Sequence, residues 1–134
     1  MGAGKTFRQR VHNAAKQVRF LSSAQAREMI DRGDAVVIDV GEAWQLTERG
    51  TIPGARNITR GELDIRADTE LPRRDPQLED RHQKIILVCG AGGKATLSAV
   101  VLTDMGFTNV WVLKGGCRAW LEAGYVLAKP QASE

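Results

Sequence analysis

Apolar residues along this chain come in two rhythms. Unbroken runs at Ala35-Val36-Val37-Ile38, Ile85-Ile86-Leu87-Val88 and Val110-Trp111-Val112-Leu113 read as strands buried on both faces. Between them lie stretches at helical spacing. Ser22 or Ser23 can cap a helix through Ala26-Arg27-Glu28-Met29-Ile30 that Gly33 ends, and Glu42 to Arg49 is a short helical pattern stopped by Gly50. Leu97 to Leu102 predicts a longer helix ending near Gly106, and Arg118-Ala119-Trp120-Leu121 a last one ending near Gly124. Ile52-Pro53-Gly54-Ala55 is a turn that leads into a brief strand at Arg56-Asn57-Ile58. Buried strands alternating with helices predict an α/β fold with a parallel sheet covered on both faces. Ligands of such sheets bind beyond the carboxyl ends of the strands, which is where Asp39 and Cys89 fall.

With 134 residues the chain fits one domain and a single site. Residues 61 to 84 hold twelve charged side chains with Pro72 and Pro76, a pattern that predicts a solvated connection with one or two helical turns. Charge alters the picture mainly at the start. The formal charge is +3, yet residues 1 to 20 carry Lys5, Arg8, Arg10, Lys16 and Arg19 with no acid, so the rest of the chain is net acidic. Phe7, Val11, Ala14 and Val18 share a face at helical spacing, so residues 1–19 are expected to form a basic, helical arm. The domain proper is expected over 20–127 and a polar tail over 128–134. The arm could cap the domain or dock an acidic protein partner. Without interleaved aromatics or a recognition motif, no nucleic-acid partner is expected. No stretch reaches the length of a membrane span and no secretory pattern opens the chain, so a cytoplasmic, reducing location with Cys89 and Cys117 as free thiols is expected. Gly4-Lys5-Thr6 imitates the end of a phosphate-binding loop, but the earlier glycine and the preceding strand are missing. Met1-Gly2 with Thr6 meets a minimal acylation pattern that is short enough to arise by chance.

The chemistry concentrates on Cys89. It ends an apolar strand and is followed by Gly90-Ala91-Gly92-Gly93-Lys94, a loop almost free of side chains, before a helix begins. Bare amides in such a loop can point inward, and the positive end of the following helix dipole faces the same place. A free thiol, with a pKa of about 8.5, is roughly 3% ionised at pH 7, so a cysteine nucleophile needs such surroundings. Cys89 is therefore expected to be a nucleophilic thiolate, with Gly90, Ala91, Gly92, Gly93, Lys94 and Ala95 as its anion-binding loop. Strand-then-glycine loops also bind phosphates without covalent chemistry, and a strand-end cysteine can be inert.

These pieces together resemble the rhodanese-like (sulfurtransferase) domain family across about residues 20 to 125. The resemblance rests on Val37-Ile38-Asp39-Val40 with Glu42, Ile52-Pro53-Gly54-Ala55 with Asn57-Ile58, and Ile86-Leu87-Val88-Cys89 with its loop. It continues in Gly106-Phe107 with Asn109-Val110, and in Gly115-Gly116 with Trp120. It implies a compact domain with a five-stranded parallel sheet, and a catalytic cysteine, here Cys89, that carries sulfane sulfur as a persulfide. No cofactor or metal is implied. The stretch from Cys89 through Lys94 has the length associated with sulfur-transferring members, whereas related phosphatases use one residue more and end in Arg. Three positions depart from the family pattern. Gly41 stands where Arg is common, Thr51 replaces a frequent His, and Lys94 replaces the usual Arg closing the loop. A lysine cannot make the bidentate grip on an oxyanion that arginine makes, so efficient thiosulfate recognition is in question.

The expected function is transfer of sulfane sulfur from thiosulfate, or from a protein or small-molecule persulfide, to a thiophilic acceptor. Asp39 and Glu42 are expected to support the loop rather than move protons. Cys117, which follows the Gly115-Gly116 turn, could be a resolving thiol or simple core filling. His12 and His82 are expected at the surface, and Trp111 and Trp120 in the core. The alternatives are a non-catalytic interaction module of the same fold, or a phosphatase or arsenate reductase.

Overall fold

The protein is described by a computed structural model that covers residues 3–130. Met1-Gly2, which opens the acylation pattern, and residues 131–134 of the expected tail lie outside the described residues. In chain order the elements are α1 (Phe7–Ala15), β1 (Arg19–Leu21), α2 (Ser23–Asp31), β2 (Val36–Asp39), α3 (Ala43–Arg49) and β3 (Arg56–Asn57). They continue with α4 (Arg60–Arg66), a 3-10 turn at Pro76–Leu78, β4 (Ile85–Val88), α5 (Gly93–Asp104), β5 (Val110–Leu113) and α6 (Gly116–Glu122). The five strands form one sheet in the order β1-β5-β4-β2-β3, and every pairing is parallel.

The central strands are apolar throughout because helices cover both sides. On one side Ile85, Leu87 and Cys89 of the β4 run join Ala95, Ala99 and Leu102 of α5, with Leu63 of α4. On the other, Ile86 and Val88 meet Ala26 and Met29 of α2, and Cys117 and Trp120 of α6. The period-two alternation of the β4 run sends Cys89 to the α5 side, while Cys117 enters the opposite cluster from α6.

Local signals set the helix starts. Thr6 accepts the Gln9 amide while Gln9 Oε1 accepts the Thr6 amide, a reciprocal cap at 3.1 and 2.8 Å, so this threonine begins α1 and cradles no phosphate. Ser22 and Gln25 repeat the arrangement at α2. In α1 only Ala14 is fully buried and Val11 is partly covered, and the helix lies along α5.

Two features exceed what the pattern marks. Strand β1 is three residues long with only Leu21 turned inward, so it shows no apolar run, yet it supplies the edge strand beside β5. The charged connection also contributes to the core, through Leu63, Ala67 and Leu78. Asp75 pins this segment: its carboxylate pairs with Arg56 and accepts the Gln77 amide at 2.9 Å, and its own amide reaches Arg66 O at 2.7 Å.

Burial acts to raise the pKa of Asp75, but the Arg56 guanidinium and the Gln77 amide outweigh it and hold the carboxyl below the ordinary aspartate range. A depressed pKa adds stability that is present above the unfolded-state value, near 3.9, and is lost as pH falls through the native one. Asp75→Asn should therefore cost about 1–3 kcal/mol at neutral pH. Urea denaturation should show the gap between wild type and variant narrowing as the solution is taken through the acid range.

Candidate active site

Register brings the site together. Asp39 of β2 lies opposite Val88 of β4, and the Val40 amide bonds Val88 O at 2.8 Å, so Asp39 and Cys89 leave the sheet side by side at its carboxyl edge. Cys89 is 3% exposed. Its Sγ accepts the Gly92 amide at 3.1 Å and the Ala95 amide at 3.5 Å. The loop thus aims main-chain N–H groups at sulfur, and Ala95 delivers its own from the first turn of the twelve-residue α5.

The opposite ends of these peptides are held from outside. The first turn of α6 donates Cys117 N–H to Cys89 O at 2.9 Å and Arg118 N–H to Gly90 O at 3.0 Å. With those carbonyls fixed outward, the loop is set in its course around the sulfur. The approach requires glycine at 116, where a Cβ would come within 2.3 Å of Cys89 O. Gly92 holds φ +108, a conformation side chains rarely adopt.

Asp39, fully buried, is the floor of the site. Its carboxylate accepts the Gly41 amide at 2.9 Å, the Thr51 hydroxyl at 2.7 Å, and Arg49 Nη1 and Nη2 at 3.0 and 3.1 Å. Arg49 Nη1 also reaches Gly50 O at 2.6 Å and Cys117 Sγ at 3.4 Å. Burial alone would lower the guanidinium pKa, but the Asp39 carboxylate more than offsets this and leaves it above its ordinary value. A Cβ on Gly41 would stand 2.7 Å from Arg49 Nη2, and one on Gly90 3.5 Å from Arg49 Nε. The fork that Gly41 lacks is therefore supplied from the end of α3, beneath the Cys89 loop. Thr51 takes part through its hydroxyl.

The supporting residues divide. Glu42 precedes α3, its amide bonding Gln45 Oε1 at 2.9 Å, and among the described residues its carboxylate makes no hydrogen bond to the loop. Lys94 Nζ lies 3.2 Å from Gln45 Oε1, so the loop's cation is tethered to α3. Arg49 and Gln45 are the residues that sequence reading missed. They stand four apart on one helix face, and a buried aspartate whose usual neighbouring arginine is absent demands a cation from elsewhere.

Cys117 is 1% exposed. Burial pushes its thiol up to about 12, with Arg49 acting in the opposite direction, so at neutral pH it is not a thiolate. Trp120 is core, its Nε1 donating to Val126 O at 2.9 Å, and Trp111 is partly buried, with Arg19 over its ring. His12 is exposed on α1, and His82 Nδ1 meets Thr108 Oγ1 at 2.9 Å. Among the described residues no group of His, Cys, Asp or Glu is arranged to hold a metal, and no helix is long and apolar enough to cross a membrane.

A sequence profile of the rhodanese-like domain matches residues 22–123. The chain belongs to the rhodanese-like domain family. Relatives of this rhodanese-like domain include the thiosulfate sulfurtransferase GlpE of Pseudoalteromonas translucida, 29% identical over 108 residues, which span 80% of this chain and 91% of that one. The tRNA uridine(34) hydroxylase of an Enterobacter strain is 30% identical over 108 residues, 78% of this chain but 29% of its own length. A solved structure from Rhodopseudomonas palustris, described as a protein of unknown function and possible tyrosine phosphatase, superposes with a TM-score of 0.87 at 26% identity. It covers 95% of this chain and 97% of its own.

Removing one partner of a buried ion pair leaves the other unpaired, at a cost of about 3–5 kcal/mol. Arg49→Met in this rhodanese-like domain should lose that much stability by urea denaturation, and the double variant with Asp39→Asn should recover part of it. A double-variant loss equal to the sum of the Arg49→Met and Asp39→Asn losses would show the pair to be uncoupled.

Proposed function

We propose that this rhodanese-like domain is a sulfurtransferase that works through a persulfide on Cys89. The observation that carries the reading is the Cys89 sulfur facing the amides of Gly92 and Ala95 at the start of α5. Main-chain donors fixed in place before reaction stabilise negative charge on sulfur at no reorganisation cost, as an oxyanion hole does for oxygen. Gly90, Ala91 and Gly93 present little or no side chain to compete with an added sulfur atom.

In the first step the Cys89 thiolate attacks the outer sulfur of thiosulfate or of a persulfide donor. A new S–S bond forms, the old one breaks, and sulfite or the donor thiolate leaves with the electron pair. In the second step a thiophilic acceptor attacks the outer sulfur and Cys89 leaves as thiolate. The cycle is ping-pong and uses no external oxidant. Asp39 and Arg49 position the loop. Cys117 lies in the opposite core cluster, where burial pushes its thiol up to about 12, and it has no part in the proposed transfer.

The sulfurtransferase name of the GlpE relative supports this reading. A phosphatase reading draws on the description of the Rhodopseudomonas structure. It needs a bidentate cation in the loop, whereas the loop ends in Lys94, whose ammonium is engaged by Gln45.

Intact-mass measurement after incubation with thiosulfate should show a gain of one sulfur atom, lost in Cys89→Ser and retained in Cys117→Ser. No gain, or a gain that survives Cys89→Ser, favours the interaction module. Aryl phosphate turnover faster than sulfur uptake favours the phosphatase. Lys94→Arg should raise kcat/KM for thiosulfate about tenfold, the effect of roughly one further charge-assisted hydrogen bond. Cyanide-dependent sulfur transfer would measure it.

A further inference from the structure

The cations on and beside α1 stand together with no acid among them. Arg27, Arg32, Arg56, Arg66 and Arg73 each meet a carboxylate. Among the described residues Lys5, Arg8, Arg10 and Lys16 meet none, and all four are exposed. The helix has no acid in its first turn. This unpaired charge also borders the site. Phe7 is 50% exposed, and a methyl group on Gly93 would lie 3.0 Å from its Cε2 and 3.5 Å from Val11 Cγ2. Gly93 belongs to the Cys89 loop, so the first turn of α1, with Lys5 and Arg8 flanking Phe7, forms one wall of the approach to Cys89. On the α3 side Gln45 holds Lys94, and its neighbour Trp44 is 62% exposed.

We propose that α1 and the loop rim are a docking surface for an acidic, cysteine-bearing segment of a protein that exchanges sulfur with Cys89. The inference rests on the sulfur-transfer reading and names its macromolecular partner. A helix of this length extends about 14 Å, more than a small donor can touch at once. A cysteine that is 3% exposed is reached only by a narrow projection, which a cysteine on an extended segment provides. Unpaired cations beside half-exposed aromatic rings suit carboxylates with apolar neighbours, and the attraction speeds encounter as well as fixing orientation. In the exchange the partner's thiolate attacks the outer sulfur of the Cys89 persulfide. The partner gains the S–S bond, Cys89 leaves as thiolate, and the partner's thiol proton passes to solvent.

The test uses the full chain, a cysteine peptide rich in Glu, its Gln counterpart of equal length, and an RNA oligonucleotide matched in charge to the acidic peptide. Lys5→Glu with Arg8→Glu reverses the charge at the rim, and carboxylates at a helix start are favoured by the helix dipole, so α1 should persist. Fluorescence anisotropy with Cys→Ser forms of the peptides should give about tenfold tighter binding of the acidic one at low salt, lost in the double variant. Sulfur transfer from loaded Cys89 should show the same preference, while transfer to 2-mercaptoethanol stays unchanged between the two proteins. Equal binding by wild type and variant, or tighter binding of the RNA, overturns the docking surface. Sulfur uptake by Cys89 without peptide selectivity also overturns it and leaves the transfer reading standing. Peptide selectivity on a protein whose Cys89 takes up no sulfur overturns the transfer reading and the cysteine cargo with it.

Discussion

A carboxylate sealed beneath a sheet edge must have every lone pair answered, and Asp39 sets this demand for the whole site. Four donors converge on it, from Gly41, Thr51 and both ends of the Arg49 fork. Each belongs to a segment that must hold its course for the cysteine loop to keep its shape. Gly41 is the turn out of β2, Arg49 the end of α3, and Thr51 bridges to Ala128 through reciprocal backbone bonds of 2.8 Å. The Nη1 that donates to Asp39 also reaches Gly50 O and Cys117 Sγ, underneath the loop. One buried charge thus ties the carboxyl end of β2, α3, the C-terminal segment and the start of α6 into a single rigid support.

The loop itself works by division of labour between the two ends of its peptide groups. Carbonyls of Cys89 and Gly90 are consumed by the first N–H groups of α6, and amides of Gly92 and Ala95 remain for the sulfur. This requires close backbone approach at Gly116 and a positive φ at Gly92 and Gly115, which is why glycine occupies all three positions. The same packing explains the fate of Cys117. Its amide is needed outside the loop, so its side chain is delivered into the cluster of α2 and α6, where burial suppresses ionisation.

The main elements were legible because their signals are local. Continuous apolar runs located β2, β4 and β5, and serine, glycine and proline marked the helix ends and turns. Strand β1 was not legible, since an edge strand with one inward residue carries almost no periodic signal. Leu63, Ala67 and Leu78 were hidden by the charges around them, although their own burial is complete. In the site, the position of Cys89 between a strand and a glycine-rich loop could be read from the order of residues. The contribution of Arg49 could not, because it depends on α3 bringing residue 49 back over the strand end that holds Asp39. Reading Gly41 and Thr51 as separate losses missed that the two positions and Arg49 meet on one carboxylate.

Under the proposed sulfur transfer, the tether on Lys94 bears on how this site discriminates among donors. A loop that ends in arginine offers an incoming oxyanion two parallel N–H bonds, and selects for the geometry of that anion. Here the ammonium is a point charge already shared with Gln45, and the remaining donors are amides that recognise charge on the transferred sulfur rather than the group that brings it. Such a site has little means of choosing its donor from within. In the proposed docking, selection comes from outside the loop, where an incoming chain meets the site before its sulfur does. The exposed ring of Phe7 and the unpaired cations beside it lie on that path, on a helix whose apolar face is turned toward α5 and whose charges are turned toward solvent. The proposed arrangement thus pairs a chemical centre that chooses little with an electrostatic surface that chooses for it, so that one cysteine can serve a defined partner.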